Sequence, residues 1–382
     1  MRGFRVHPGI NLRYPLQSRS KTAAAPWMEM SRRKPVSQQL ASSAKDGAAT
    51  APGAGTPRME DVAREAGVSL VTVSRAVNHP EKLAPETLAQ VRAAIERLRY
   101  VPNLTAGSLA SSRSRIAAAV IPTLASSIFS DTMDGLSQAL AARGYQLLLG
   151  QTHFKAAAEA QLIEAFVGRR VDGMVLIRTS QSPQVRATLQ RAGIPVVEAW
   201  DLAGDPIDMM VGFSNKDAGE AAARYLAGKG YRQLAYIGSE EGRSSARLAG
   251  FRAGARACGL PTVVAHPLPA PGTLAEAAHA LEQLLQRRPD VRAVLCANDM
   301  LAAGVLFECQ RRRLDVPARI AVMGFADLPI AAATEPTLTT VHVPSYEIGR
   351  RAGELLLARI HGEADLQHRV DLGYRVIARA SA

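Results

Sequence analysis

From Arg115 onward, short and almost wholly apolar runs alternate with amphipathic segments of helical period, and this alternation limits the fold more than any other feature. A strand with one solvated face needs a polar residue at every second position. These runs have none, so they are buried on both faces, which calls for parallel sheets covered by helices. The pattern predicts strands at Ile116–Ile121, Tyr145–Leu149, Gly173–Ile177, Pro195–Ala199, Met209–Phe213, Leu234–Ile237, Ala293–Cys296 and Ile320–Met323. It predicts helices at Thr132–Arg143, Ala156–Gly168, Val185–Ala192, Asp217–Lys229, Ser244–Ala257, Leu274–Arg287, Leu301–Arg312 and Ser345–Ile360. About ten strands suit two doubly wound lobes better than one sheet. Small-molecule sites in such α/β folds lie at strand C-terminal ends or between lobes.

The segment before this region obeys a different rule. Residues 61–78 read as two short helices around a tight turn at Gly67-Val68-Ser69. Val62, Ala63, Ala66, Val68, Val73 and Val77 fall where crossing helices bury them, while Leu70, Val71, Ser74 and Arg75 face outward. This is a helix-turn-helix pattern, whose second helix enters the DNA major groove. Ser69 suits the N-cap. Arg75 suits a bidentate contact to guanine, Leu70 and Val71 suit thymine methyls, and Thr72 and Ser74 suit phosphate or base edges. The same residues also fit an ordinary αα-hairpin with Arg75 as a solvated charge. A third helix follows from Pro85, with Leu88, Val91, Ile95 and Leu98 at helical spacing and Ala84 as a poor cap. Residues 104–112 are small, with two leucines, and read either as a linker or as a helix that forms only when something holds it.

Charge sharpens the division. Of 46 Lys/Arg and 34 Asp/Glu, residues 1–55 carry nine against two, residues 56–115 nine against six, and the remainder 28 against 26. The net +12 therefore lies at the N-terminal end, where it supplies the sequence-independent attraction that DNA phosphates exploit. Residues 1–55 have neither helical nor strand period and read as a disordered basic extension. Their Arg-rich, acid-poor character also superficially resembles a transit peptide, and Met28, Met30 and Met59 are possible internal starts. Cys258, Cys296 and Cys309 form no even framework, which points to a reducing, cytoplasmic setting. No apolar run reaches about 18 residues, so no membrane span is expected. Phosphate-loop, zinc-protease and nucleophile-elbow motifs are missing, and the histidines have no metal spacing, so neither enzyme nor cofactor is expected.

Several short motifs occur in one order: Asp61-Val-Ala-x-x-Ala-Gly-Val-Ser-x-x-Thr-Val-Ser-Arg75, Leu98-x-Tyr-x-Pro-Asn103, Ala106-x-x-Leu109, Val171-Asp-Gly173, Arg247-Leu-Ala-Gly-Phe251, Asn298-Asp299, Val322-Met-Gly-Phe-Ala-Asp327 and Pro336-x-Leu-Thr-Thr-Val341. Together they resemble the lactose repressor (LacI) family over residues 57–382; Val101-Pro-Asn-Leu-x-Ala-Gly-x-Leu-Ala110, Gly144-Tyr-Gln-Leu-Leu-Leu-Gly150, Trp200-Asp-Leu202 with Asp205-Pro-Ile-Asp208, and Val211-Gly-Phe-Ser214 resemble, within that family, repressors of gluconate utilisation. The resemblance implies an all-α helix-turn-helix DNA-binding head (56–102), a hinge helix (103–114) and an α/β core like type I periplasmic binding proteins, with two doubly wound lobes (115–382). It implies a homodimer on a pseudo-palindromic double-stranded operator. Asn103, Ala106 and Leu109 would belong to the hinge's DNA contacts, with Leu109 as a minor-groove wedge. For a small sugar or sugar-acid effector it implies Arg247 and Asp299, with Asp327, Glu198 and Trp200 at strand ends and Ser126, Ser127 and Phe129 in the first pocket loop. A nearby Arg243 adds a second fork for a carboxylate such as gluconate. The rival readings are a periplasmic-type sugar-binding protein without DNA regulation and, more remotely, an enzyme on that fold.

Overall fold

The computed structural model describes residues 57–101, 113–124, 127–177 and 182–382. The expected extension at 1–55, the hinge residues Asn103, Ala106 and Leu109, and pocket-loop residue Ser126 lie outside the described residues. The chain divides into two compact units at Val101/Pro102.

Among the described residues the first unit has three α-helices: α1 (Met59–Ala66), α2 (Leu70–Asn78) and α3 (Pro85–Leu98). Glu60 and Asp61 sit in the first turn of α1, where the helix dipole favours acids, and the Asp61 carboxylate accepts the Arg58 N–H at 2.8 Å. Gly67 ends α1 at φ +66°, a left-handed turn that a side chain resists. Ser69 caps α2, its Oγ accepting the Thr72 N–H at 3.2 Å. Ala84 makes no such bond at α3, as expected. Val62, Ala63, Val73, Ala76, Val91, Ala94 and Tyr100 form the buried centre. Ala76, rather than the expected Val77, is the buried residue; Val77 is half-buried at the rim.

The second unit holds two six-stranded sheets. The first runs β11-β5-β4-β3-β1-β2, with β1 (Ile116–Ile121), β2 (Gln146–Gln151), β3 (Gly173–Leu176), β4 (Val196–Ala199), β5 (Met209–Gly212) and β11 (Arg369–Asp371), all parallel. The second runs β12-β10-β9-β8-β6-β7, with β6 (Leu234–Gly238), β7 (Val264–Pro267), β8 (Ala293–Cys296), β9 (Ala321–Ala326), β10 (Thr339–His342) and an antiparallel edge, β12 (Arg375–Ile377). Central strands are buried along their whole length, which is why their sequences carry no polar alternation. Strands β7, β10, β11 and β12 were not in the sequence expectation. Three of them are edge strands of three or four residues, too short and too polar to stand out.

The chain passes between the lobes at Phe213–Ser214, at Val343–Pro344 and at Leu372–Tyr374. Beside the first two passages stand tightly paired helices. In the second lobe α7 (Asn215–Gly228) packs on α8 (Gly242–Ala257). A Cβ at Gly219 would lie 2.1 Å from the Arg247 carbonyl oxygen, and one at Gly250 1.8 Å from that of Lys216. In the first lobe α4 (Ser130–Ala141) packs on α12 (Ser345–Ile360), where Cβ atoms at Gly135 and Gly349 would lie 2.2 Å and 1.9 Å from the Tyr346 and Thr132 carbonyls. Backbone meets backbone in both pairs, so glycine is required for close approach. The remaining helices are α5 (Ala156–Gly168) and α6 (Pro183–Ala192) in the first lobe, and α9 (Leu274–Arg287), α10 (Asp299–Arg311) and α11 (Pro329–Ala333) in the second. Among the described residues no helix is long and apolar enough to cross a membrane.

Candidate functional site

In the first unit Leu70, Val71 and Arg75 of α2 are exposed, as expected, while Ser74, expected to face outward, and Thr72 are half-buried. Leu70 and Val71 are 45% and 59% exposed, unusually high for large apolar side chains on a small helical unit. Arg75 is exposed on the same helix. Thr72 Oγ1 lies 2.9 Å from Ser69 Oγ, so its hydroxyl is tied to the cap. Asn78 donates to the Ser74 carbonyl at 3.0 Å, an intrahelical bond that leaves the Ser74 hydroxyl oxygen within 3.4 Å of the same amide. The surface thus offers a guanidinium, two apolar side chains and two hydroxyls along less than two turns of helix.

In the second unit a cleft opens between the lobes, lined by Ile128, Phe129, Phe154 and Trp200 from the first lobe and by Ser239, Arg243, Ser244, Arg247, Pro271 and Asn298 from the second. Phe129 and Trp200 meet edge to face, with ring centroids 5.1 Å apart. The Trp200 indole N–H donates to Thr132 Oγ1 at 3.0 Å. Trp200 itself sits at φ +78°. Arg243 and Arg247 project from α8 one turn apart. The Arg243 guanidinium lies 5.5 Å from the Phe129 ring centroid, and that of Arg247 only 4.2 Å from Phe325.

Burial, and then the neighbouring Arg247 charge, pull the Arg243 pKa down to about 10, while Asp201 and Glu159 push against the fall. Arg247 is 7% exposed; its Nη1–H donates to Asn215 Oδ1 at 2.9 Å, and its Nε–H has no hydrogen-bond partner. Arg247 lines the cleft while its Nε–H is sealed from solvent, and a carboxylate in the cleft would gain a charge-assisted bond from the guanidinium.

Of the expected effector residues, Phe129, Trp200 and Arg247 come together in the cleft. Four do not. Asp299 is fully buried behind it, with Oδ1 accepting from Thr340 Oγ1 and Oδ2 from the Leu328 N–H, both at 2.6 Å. Burial raises its pKa to about 6, against those two hydrogen bonds. Its neighbour Asn298 lines the cleft instead, while its Oδ1 caps α10 through the Leu301 N–H at 2.9 Å. The Asp327 carboxylate is taken by Arg379 at 2.7 Å and His342 at 3.0 Å. Glu198, buried within β4, accepts the Ile207 N–H at 2.7 Å. Ser127 is exposed at the start of a short 3-10 turn and does not line the cleft. Asn298 and Asn215 were missed by sequence reasoning. Asn298 sat inside a quoted motif but was passed over for the charged residue beside it.

Comparison with known proteins gives matching assignments. The family described as "Bacterial regulatory proteins, lacI family" matches residues 58–103, and a "Periplasmic binding protein-like domain" matches residues 223–382. The chain is 38% identical over 333 residues to the HTH-type transcriptional regulator GntR of Pseudomonas aeruginosa, covering 86% of this chain and 96% of that one. Among solved structures it resembles a LacI-family transcriptional regulator from Silicibacter pomeroyi (31% identity, TM-score 0.79, covering 85% of this chain and 99% of the other). It also resembles the transcriptional regulator CelR in complex with cellobiose (29% identity, TM-score 0.63, covering 85% and 100%).

Proposed function

Since the chain belongs to the lacI family of bacterial regulatory proteins, we propose that it is a cytoplasmic, homodimeric repressor that reads a pseudo-palindromic operator through α2 and releases or tightens on it when a sugar acid, gluconate or a close derivative, fills the cleft. Its role is regulatory rather than catalytic. The reading as a sugar-binding protein without DNA function is disfavoured, because the lacI-family match covers the helix-turn-helix unit itself.

One observation carries the effector class: the Arg247 guanidinium, almost wholly buried, on the wall of an aromatic-lined cleft. Arg243, one turn away on α8, brings a second guanidinium to the same wall, and Asp201 and Glu159 favour its charged form. The cellobiose complex of CelR shows that a relative with this fold takes a neutral sugar, so the charge of the ligand is the point to test. In a thermal-shift and calorimetric screen, gluconate at 100 times its dissociation constant should stabilise the protein by about 2.7 kcal/mol. Stabilisation by neutral sugars alone would remove the sugar-acid assignment.

A further inference from the structure

We propose that Asn215 is the positioning residue that transmits occupancy of the cleft across the first passage between the lobes, an inference that rests on the effector reading above. Asn215 is fully buried and opens α7 immediately after the chain crosses at Phe213–Ser214. Its amide bridges the lobes. The Nδ2–H donates to the Trp200 carbonyl of the first lobe at 2.9 Å, and Oδ1 accepts the Arg247 Nη1–H of the second lobe at 2.9 Å. Only one amide orientation works, because the flipped one would set N–H against guanidinium and oxygen against carbonyl.

Both ends of the bridge belong to the cleft wall. At one end Trp200 is held in left-handed backbone, a conformation that a bulky residue occupies only when its surroundings enforce it. A Cβ at Gly212, on the neighbouring strand, would come within 2.8 Å of the Asp201 N and 3.0 Å of the Trp200 carbonyl carbon, so this backbone cannot relax towards β5. At the other end, the α7–α8 glycine contacts fix the Arg247 backbone against α7, leaving its guanidinium as the movable part. An anion that engages Arg247 draws on a guanidinium already bonded to Asn215. Any shift of that group either stretches the amide bond or moves the amide, and the amide moves the crossover and the Trp200 peptide with it. Effector binding and lobe geometry become one event through a single side chain.

The test uses the full chain, Asn215→Ala and Asn215→Asp, each in a Trp27→Phe background so that Trp200 alone reports. Asn215→Asp keeps the shape of the side chain and the acceptor for Arg247 but loses the donor to Trp200, and it serves if the alanine variant does not fold. Both variants should hold unliganded operator affinity within about twofold of the parent. At saturating gluconate, the operator response should fall from the roughly 5- to 150-fold expected of such coupling to below about twofold. Trp200 emission should stop responding to gluconate. Because the response is read at saturation, a loss of gluconate affinity does not mimic a loss of coupling. A full operator response in either variant overturns the proposal. If the parent binds no sugar acid, the effector reading fails separately; the bridge is then judged by unliganded Trp200 emission, and an emission unchanged in Asn215→Asp overturns it.

Discussion

At the scale of single residues, the cleft wall holds one unsatisfied donor, the Arg247 Nε–H. Removing Arg247 should abolish the ligand response and leave DNA binding intact: Arg247→Ala is expected to titrate its operator as the parent does, with no change on adding gluconate, as gel-shift or anisotropy assays will show. A persisting response would transfer the role elsewhere. Asp299 supports a second prediction. Its folded pKa of about 6 lies above the ordinary 3.8, so the folded state holds this proton more tightly than the unfolded one. Its contribution to stability is therefore greatest below about 4 and declines as pH rises towards 6 and beyond. In urea melts over that window, Asp299→Asn should lose this slope, since an amide that sets its oxygen on the Leu328 N–H and its nitrogen on the Thr340 hydroxyl does not titrate. Arg247 was legible in the sequence through its motif, and Phe129 and Trp200 through the loop and strand end that the resemblance assigned them; all three line the cleft. Asp299 was misplaced for a geometric reason: it follows Asn298 by one residue into a helix, where successive side chains diverge by about 100°. Asn215 was invisible because its two partners are distant in sequence, at positions 200 and 247.

At the scale of elements, α2 and the α7–α8 pair make opposite demands. The outer face of α2 is free of packing duties, so Arg75→Ala should keep the fold and cost about 1–3 kcal/mol of discrimination between operator and unrelated DNA. Competition binding at fixed salt measures it, and unchanged selectivity would sink the recognition assignment. The inner faces of α7 and α8 have no slack. Gly250→Ala places a methyl where the Lys216 carbonyl sits and should lower stability by about 1–3 kcal/mol in denaturant melts. The central strands were legible because full burial writes an unbroken apolar run. The edge strands β11 and β12 were not, since each is three residues long and is made a strand by its neighbour rather than by its own composition. Val77 failed in the same way: helical period locates a face to within one position, and Ala76 won the centre of it.

At the scale of the whole molecule, coupling is reciprocal. If gluconate changes operator affinity by some factor, operator DNA must change gluconate affinity by the same factor, a comparison that calorimetry with and without operator can make. The three passages between lobes have a further consequence, for how the protein is made rather than how it switches. The first lobe begins with β1 to β5 but is not complete until α12 covers it and β11 closes its edge, after the whole of β6 to β10 has been synthesised. At roughly 5–20 residues per second, the face against which α12 will pack stays bare for on the order of ten seconds while the ribosome works through the second lobe. The nascent chain thus spends much of its synthesis as a half-built sheet in need of protection, and a message broken between the codons for Val343 and Ser345 yields not one good lobe but two unfinished ones.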